Sequence, residues 1–240
     1  MADKLKVALI GYGKMGRMIE SIATKRNIEI SAIFEINNKF GIDDTDPITL
    51  NEIDVLLDFS TAESVRNSVL TASHFGKKLV IGTTGWYDQM LEIKRLVEES
   101  NSGVIYSPNF SIGVNLFFKI VEHAAELFSV FDEYDTYIEE SHHKLKKDSP
   151  SGTAQNLGDI MESHYKNYPP INSIRAGFIP GDHSVHFDSE FDHVVLKHSA
   201  RNRLGFSEGA ILAAKWIRDK TGFYNFQQVI NDILNKRTIK

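Results

Sequence analysis

The chain has 240 residues, of which 42% are hydrophobic and 25% charged, and these ordinary globular values exclude disordered and fibrous proteins. Lysine and arginine number 27 against 32 acidic residues, and the formal net charge of -5 argues against nucleic-acid binding by bulk charge. The sequence contains no cysteine, which excludes disulfides, thiolate metal sites and cysteine nucleophiles.

No apolar run approaches the roughly 20 residues that span a bilayer, and the first residues do not have the pattern of a signal peptide. We therefore expect a cytoplasmic protein.

The first half of the chain alternates short apolar runs with helical patterns, which is typical of βαβ units and a parallel sheet. Near-continuous hydrophobicity predicts strands buried on both faces at 7–10, 30–34, 55–59, 79–81 and 104–106. Helices are predicted between them at 15–25, 62–75 and 88–100. This half is predicted to be a Rossmann-type dinucleotide-binding domain.

A second domain is predicted to begin at about residue 112. One long helix is expected at 114–131, and alternating polar and apolar residues predict strands of an open mixed sheet at 136–140, 174–176, 184–188 and 193–198. Helical spacing returns at 209–220 and 226–234, and by analogy with two-domain dehydrogenases this tail belongs with the first domain. The predicted division is 1–111 with 204–240, and an α+β domain at 112–203.

The first predicted strand runs directly into a G-x-G-x-x-G motif that opens the first helix, Gly11-Tyr12-Gly13-Lys14-Met15-Gly16. The first glycine permits a tight turn, the second lets the backbone approach a pyrophosphate, and the third allows close helix–strand packing. Glu35 ends the second predicted strand, where an acidic side chain commonly binds the adenosine ribose. These features predict a nicotinamide dinucleotide cofactor.

The preferred cofactor depends on charges near Glu35. Its carboxylate should repel the extra phosphate of NADP, and neither Ile36 nor Asn37 supplies an arginine for that phosphate, although Lys39 or Lys14 could swing near. We favour NADH and keep NADPH as the alternative.

Two later turns also follow predicted strands. Ligands of open parallel sheets bind beyond the carboxyl ends of the strands. Nicotinamide-side contacts are therefore expected from Gly82, Thr83, Thr84, Ser107, Pro108, Asn109 and Phe110.

The segment from Glu140 to Ala154 carries the densest chemistry and is predicted as a strand, a polar loop and the start of a helix. Its imidazoles and ammonium groups, with amides of a helix N-terminus, suit a dicarboxylate ligand. His142 and Lys146 are candidates for proton transfer, and the residues do not decide which of them donates. Ser151 or Thr153 can cap the helix while its first amides face the ligand.

The run His-His-x-x-Lys-x-Asp-x-Pro-Ser-Gly-Thr-Ala, at 142–154, strongly resembles the dihydrodipicolinate reductases. The glycine fingerprint, Gly-Thr-Thr-Gly and Asn-Phe-Ser-x-Gly-Val-Asn precede it in the family's order, so the resemblance covers nearly the whole chain. It implies reduction of 4-hydroxy-tetrahydrodipicolinate, a cyclic dicarboxylate, to tetrahydrodipicolinate by NADH or NADPH, in the diaminopimelate route to lysine. It also implies a homotetramer in which 112–203 is the substrate-binding and oligomerisation domain.

The resemblance also implies roles for individual residues. His142 takes the place of the acid/base, Lys146 that of the proton donor, and His143 that of a substrate contact. Gly152 and Thr153 match the residues that grip a substrate carboxylate through the helix N-terminus, and Ser151 is included with them as a substrate-binding candidate. The chain departs from the family in a shorter segment between Glu35 and Val55 and in the absence of an arginine from Asp58-Phe59-Ser60-Thr61-Ala62.

Two other hypotheses are a different two-domain dehydrogenase and a non-catalytic NAD sensor, neither of which has a reason to keep the His-His-x-x-Lys loop. Structural or solvated roles are expected for Lys144, Lys147, His183, His186, His193 and His198. Arg175, Arg201 and Arg203 could contact the substrate or a neighbouring subunit, and ordinary ion pairs are an equal alternative, so they are left outside the candidate site. No metal is predicted, because the histidines lack the compact spacing of a zinc site.

Overall fold

The computed structural model describes residues 4–35 and 40–238. Ile36, Asn37 and Lys39, on which the predicted cofactor preference partly depends, lie outside the described residues. The chain divides into two compact units, the first comprising the residues up to Ser111 with those from Phe206 and the second comprising Ile112–Gly205.

The first unit is built on a parallel six-stranded sheet. Its strands are β1 (Leu5–Ile10), β2 (Ile28–Phe34), β3 (Val55–Asp58), β4 (Lys78–Ile81), β5 (Gly103–Tyr106) and β10 (Gly222–Asn225). The spatial order is β10-β5-β4-β3-β1-β2, so the chain reverses direction of winding between β1 and β3. In such sheets the ligand crevice lies beyond the carboxyl ends of the strands at this switch point.

Helices and short turns lie between these strands or follow the last of them. They are α1 (Lys14–Ala23), α2 (Pro47–Asn51), α3 (Ala62–His74), α4 (Met90–Glu99), α7 (Leu204–Ile217) and α8 (Phe226–Thr238), with 3-10 turns at Thr24–Arg26 and Tyr87–Gln89. Every residue of β3 is buried, as expected for a strand covered on both faces. The apolar core includes Leu56, Leu79 and Val97.

The second unit has a four-stranded sheet in the order β7-β6-β8-β9. The strands are β6 (Asp135–His142), β7 (Ile171–Arg175), β8 (Asp182–Asp188) and β9 (His193–Ser199). The β6–β7 pair is parallel, whereas the β6–β8 and β8–β9 pairs are antiparallel. Helices α5 (Ile112–Phe128) and α6 (Gly152–Glu162) pack on one face, where Ile138, Leu157 and Val185 form part of the core.

The predicted fold class, a Rossmann-type parallel sheet plus an α+β unit with an open mixed sheet, is confirmed. Some elements differ from expectation. The structure adds α2, α6 over its full length and the edge strand β10, and it ends the long helix α5 at Phe128. Among the described residues, no helix has both the length and the apolar character required to cross a membrane.

Candidate functional site

The glycine loop between β1 and α1 uses its three glycines for different reasons. Gly11 has a φ of +87°, and a Cβ added there would lie 2.5 Å from the Phe59 carbonyl oxygen. A Cβ on Gly16 would lie 2.7 Å from the Gly11 carbonyl oxygen. The chain's own packing therefore requires both glycines.

Gly13 is different, because a Cβ added there would meet nothing within 4 Å. It is the N-cap residue of α1 and has no side chain with which to cap the first amides of the helix. Open space beside a glycine at a helix N-terminus is the cradle that a pyrophosphate occupies in dinucleotide-binding folds. The loop thus fits the predicted cofactor.

Charged and aromatic side chains surround this loop. The Tyr12 hydroxyl donates a hydrogen bond to Glu20, which raises the pKa of the phenol. The Arg17 guanidinium lies 5.4 Å from the centroid of the Tyr12 ring, and the Glu35 carboxylate is close enough to act on the same phenol. Lys14 is exposed and Met15 half-buried. Arg17 was not among the predicted site residues, although its position directly after the last glycine of the motif was a signal.

The turn after β4 packs against the turn after β3. A Cβ on Gly82 would lie 2.0 Å from the Phe59 ring, and the buried Thr83 hydroxyl donates to Asp58 at 2.8 Å. Thr84 is exposed. The turns after β1, β3 and β4 therefore meet at the carboxyl edge of the sheet, where the nicotinamide side of a cofactor was predicted.

The turn after β5 is organised mainly by its own hydrogen bonds. The Ser107 hydroxyl donates to the Asn109 carbonyl oxygen at 2.8 Å, and the Asn109 side chain accepts from the Ser111 amide at 2.8 Å. Pro108 is exposed, whereas Phe110 is buried with its ring centroid 4.9 Å from that of Phe226. Any contact of Phe110 with a ligand would be made by its backbone.

In the second unit, β6 ends at the buried His142, and Glu140 lies two residues earlier on the same face. Nδ1 of His142 contacts Oε2 of Glu140. The other oxygen, Oε1, accepts from Arg175 Nη2 at 2.6 Å and from the Ser151 amide at 3.2 Å. Burial alone would raise the pKa of Glu140, but these donors and the neighbouring imidazole outweigh it and lower the pKa to about 2.

The imidazoles of His142 and of the neighbouring His183 both have a lowered pKa, which favours their neutral forms. Burial lowers the pKa of His142, an effect that the Glu140 carboxylate opposes and the Lys146 charge reinforces. Burial likewise lowers the pKa of His183 to about 4. The His183 ring lies 5.1 Å from that of His142, and its Nε2 is 3.1 Å from the Ser151 hydroxyl.

The loop after β6 carries the predicted lysine and the second predicted histidine. Lys146 Nζ lies 2.8 Å from Asp148 Oδ1, and Arg175 Nη2 binds the Asp148 carbonyl oxygen at 2.6 Å. The half-buried His143 anchors the start of the loop through its amide, which donates to the Ile179 carbonyl oxygen at 2.8 Å. Arg175, left outside the candidate site by the sequence analysis, thus joins the loop to the buried carboxylate.

Helix α6 begins where this loop ends. Ser151 is its N-cap, and its hydroxyl accepts from the Ala154 amide at 3.2 Å. Gly152 is exposed and an added Cβ there would meet nothing within 4 Å, while Thr153 is half-buried in the same first turn. Room beside the positive end of a helix suits the binding of a carboxylate.

Three of these residues, Glu140, His142 and His183, place possible ligand atoms within 4.8 Å of one another, and all three are buried. Two imidazoles and a carboxylate are a known zinc ligand set. These three residues could not be grouped from their spacing in the sequence, because His183 lies on β8 and the other two lie on β6. The Arg175 guanidinium, which forms an ion pair with Glu140, already provides the positive charge that a metal ion would bring to this carboxylate.

A Rossmann sheet with an open glycine loop and a second unit with a histidine–lysine loop define a two-domain oxidoreductase that uses a nicotinamide cofactor. Residues 5–110 match the family described as dihydrodipicolinate reductase, N-terminus, and residues 113–230 match dihydrodipicolinate reductase, C-terminus. The chain therefore belongs to the dihydrodipicolinate reductase family.

Curated relatives agree over the full length. The chain is 35% identical over 243 aligned positions to the 4-hydroxy-tetrahydrodipicolinate reductase of Christiangramia forsetii, covering 95% of this chain and 99% of that protein. It is 35% identical to the enzyme of the same name from Archaeoglobus fulgidus, with coverages of 94% and 100%.

A solved structure shares the fold. It is the dipicolinate-bound dihydrodipicolinate reductase from Paenisporosarcina sp. TG-14, with a TM-score of 0.77, 24% identity and coverages of 94% and 99%.

Proposed function

We propose that the NAD(P)H-dependent reduction of 4-hydroxy-tetrahydrodipicolinate to tetrahydrodipicolinate, the reaction of this family in the diaminopimelate route to lysine, depends on His142 and Lys146 of this chain. The observation that carries the proposal is the buried contact of His142 with Glu140 next to the loop that holds Lys146. In this proposal the dicarboxylate is bound by His143 and by the hydroxyl and amide donors of Ser151, Gly152 and Thr153 at the start of α6.

The overall reaction takes up a hydride and a proton and releases water. When bound, the reduced nicotinamide supplies the hydride. Lys146 is the proton donor in this proposal, because burial lowers the pKa of His142 and keeps its imidazole neutral at pH 7. His142 then acts as the acid/base that returns a proton to Lys146 after each turnover. Nε2 is the nitrogen of His142 that carries this proton.

The cofactor is held by the first unit in this proposal. Gly11, Gly13 and Gly16 shape the loop, Tyr12, Lys14 and Met15 line it, and Glu35 binds the adenosine ribose. We favour NADH, because the Glu35 carboxylate repels a phosphate on the ribose, and we treat NADPH as the alternative that the assay below distinguishes. The remaining contacts are those predicted from Gly82, Thr83, Thr84, Ser107, Pro108, Asn109 and Phe110.

We further propose that the chain is a cytoplasmic homotetramer, as the family resemblance implies, with contacts between copies made by the face of the four-stranded sheet opposite to α5 and α6. This face carries the exposed apolar side chains of Ile174 and Val195. It also carries stacked rings. The ring centroid of His186 lies 4.2 Å from that of Tyr137 and 5.1 Å from that of His193. Apolar and aromatic groups on a sheet face that one layer of helices leaves open favour burial against a second copy.

The test is oxidation of NADH, and separately of NADPH, with the unstable substrate generated in situ from pyruvate and aspartate semialdehyde by the preceding synthase. His142→Gln and Lys146→Ala should each lower kcat by about two to four orders of magnitude. Lys147→Ala, in the same loop but with an exposed side chain, is the matched control and should behave as the unmodified chain does.

Normal kinetics in either variant would remove that residue from the mechanism. A faster rate with NADPH than with NADH would overturn the cofactor preference alone. If the unmodified chain binds NADH but oxidises neither cofactor with this substrate, the proposed reaction fails.

A further inference from the structure

Glu140 has a fully buried side chain, which is unusual for a carboxylate, and although its contact with His142 supports the proposed function, Glu140 itself has no assigned role in it. It lies on β6 with its side chain on the helix-covered face of the sheet, in register with His183 of β8 and two residues before His142. A buried charge is strongly destabilising unless it is paired, so its partners determine what it does.

The two carboxylate oxygens have different partners. Oε1 accepts from the Arg175 guanidinium at the end of β7 and from the Ser151 amide at the start of α6. These donors come from two separate elements and fix the plane of the carboxylate. Oε2 is left to face Nδ1 of His142. A carboxylate in this position favours the imidazole tautomer that carries its proton on Nδ1.

The other ring nitrogen of His142, Nε2, lies beside Gly181. Gly181 has a φ of +149°, and a Cβ added to it would lie 3.1 Å from His142 Nε2. A larger residue would crowd this nitrogen and would be strained at that φ. The tautomer with the proton on Nδ1 leaves Nε2 with its lone pair on this glycine-lined side.

We propose that Glu140 is the positioning residue for His142: anchored by Arg175 and the Ser151 amide, it holds the ring in one orientation and keeps Nε2 as the nitrogen that exchanges protons. This inference rests on the proposed function, because it assigns to Glu140 the tautomer and charge of the residue proposed there as acid/base. It adds a residue that acts through His142 and does not contact the substrate.

The Glu140 carboxylate has a decisive effect on the proton affinity of His142, because the other charges around the ring oppose its protonation. Lys146 and Arg175 both disfavour the imidazolium, and burial does so more strongly than either. The neighbouring His183 is held neutral by its own burial. Glu140 is the group that favours the imidazolium, and its own pKa of about 2 keeps it ionised through the working range of the enzyme.

The first test is Glu140→Gln, which keeps the shape of the side chain and removes its charge. We expect kcat to fall about 10- to 100-fold, and the apparent pKa of His142 to fall by about 1 to 3 pH units, because the imidazolium loses its counter-charge. The control is Glu122→Gln, since Glu122 is an exposed residue of α5 in the same unit and lies outside the proposed site and the proposed contact face, and it should leave kcat unchanged.

Two readouts separate positioning from general damage. Nitrogen-15 NMR of the histidines, with no substrate present, should show the His142 proton on Nδ1 in the unmodified chain and a mixture of tautomers in Glu140→Gln. In a His142→Gln background, adding Glu140→Gln should lower kcat by less than twofold, since Glu140 acts through His142. Binding of NADH checks that the first unit is intact.

A kcat–pH profile of folded Glu140→Gln that superposes on the profile of the unmodified chain would overturn the inference. So would a loss of kcat that is as large when Glu140→Gln is added to His142→Gln as when it is made in the unmodified chain. If Glu140→Gln does not fold, Glu140→Asp takes its place, and it should preserve the tautomer while lowering kcat. Loss of activity on chelation with recovery on added zinc would make Glu140 a metal ligand instead. Because the NMR needs no substrate, failure of the proposed reaction and failure of this inference give different results.

Discussion

His183 is an imidazole whose burial has a measurable consequence for stability. In the folded protein its pKa is lowered to about 4, whereas an unfolded histidine titrates near 6.5. Between these values the unfolded chain binds a proton that the folded chain does not, so stability falls as the pH falls from about 6.5 to about 4. The shift corresponds to about 3 kcal/mol across that range.

This loss of stability can be measured by urea unfolding at a series of pH values. In His183→Gln the dependence on pH between 6.5 and 4 should become flatter, whatever the variant's stability at pH 7. His123→Gln, at an exposed histidine on α5, should keep the slope of the unmodified chain. Equal slopes in all three proteins would contradict the burial argument.

Some residues of the candidate site could be predicted from the sequence, and others could be identified only from the structure. The segment containing His142, Lys146 and Ser151 could be predicted from the sequence, because these residues are close along the chain. Glu140, Arg175 and His183 took on their importance only in the structure. Strand register places His142 beside Arg175 and Glu140 beside His183, and one strand's sequence does not determine which residue its neighbour brings opposite.

At the scale of elements, the glycine loop allows packing and ligand binding to be tested apart. Gly13→Ala should weaken binding of NADH at least tenfold and leave the free energy of unfolding nearly unchanged, because its Cβ would enter open space. Gly16→Ala should lower the free energy of unfolding by about 1–3 kcal/mol, because its Cβ would lie 2.7 Å from the Gly11 carbonyl oxygen.

Titration of NADH by fluorescence and urea unfolding, done on both variants, check these outcomes. If Gly13→Ala binds NADH as tightly as the unmodified chain, the open space beside that residue is not the cofactor cradle.

The alternation of strands and helices in the first unit could be predicted because β1 to β5 are built mainly from apolar residues. Two elements could not. The short helix α2 depends on local capping, in which the Asp46 side chain accepts from the Ile48 amide and Pro47 occupies the first turn. Strand β10 is an edge strand of four residues, and its pairing with β5 joins parts of the chain far apart in sequence.

At the scale of the whole molecule, the proposed tetramer can be tested by light scattering after gel filtration. The unmodified chain of 27.1 kDa should elute as a species of four chains, and Val195→Glu should reduce the assembly, because it places a charge on the proposed contact face. The control is Leu91→Glu, at an apolar side chain of α4 that is 84% exposed, and it should leave the assembly unchanged. A monomer in the unmodified chain would contradict the proposal.

The proposed mechanism divides catalysis between the two units. The proposed cofactor site belongs to the first unit and the proposed acid/base and proton donor belong to the second, so hydride transfer requires the bound cofactor and substrate to meet. We therefore expect a conformational step in turnover, as in other enzymes that divide their ligands between domains.

The division of the chain also has a consequence for its biosynthesis. The second unit is one uninterrupted stretch, Ile112–Gly205, whereas the sheet of the first unit is completed by β10 near the end of the chain. During translation the ribosome releases the whole inserted unit before it releases that last strand. Domains generally fold as units while the chain emerges. We therefore expect the second unit to complete its fold before the sheet of the first unit, in which β5 stays an unpaired edge until β10 has been synthesised.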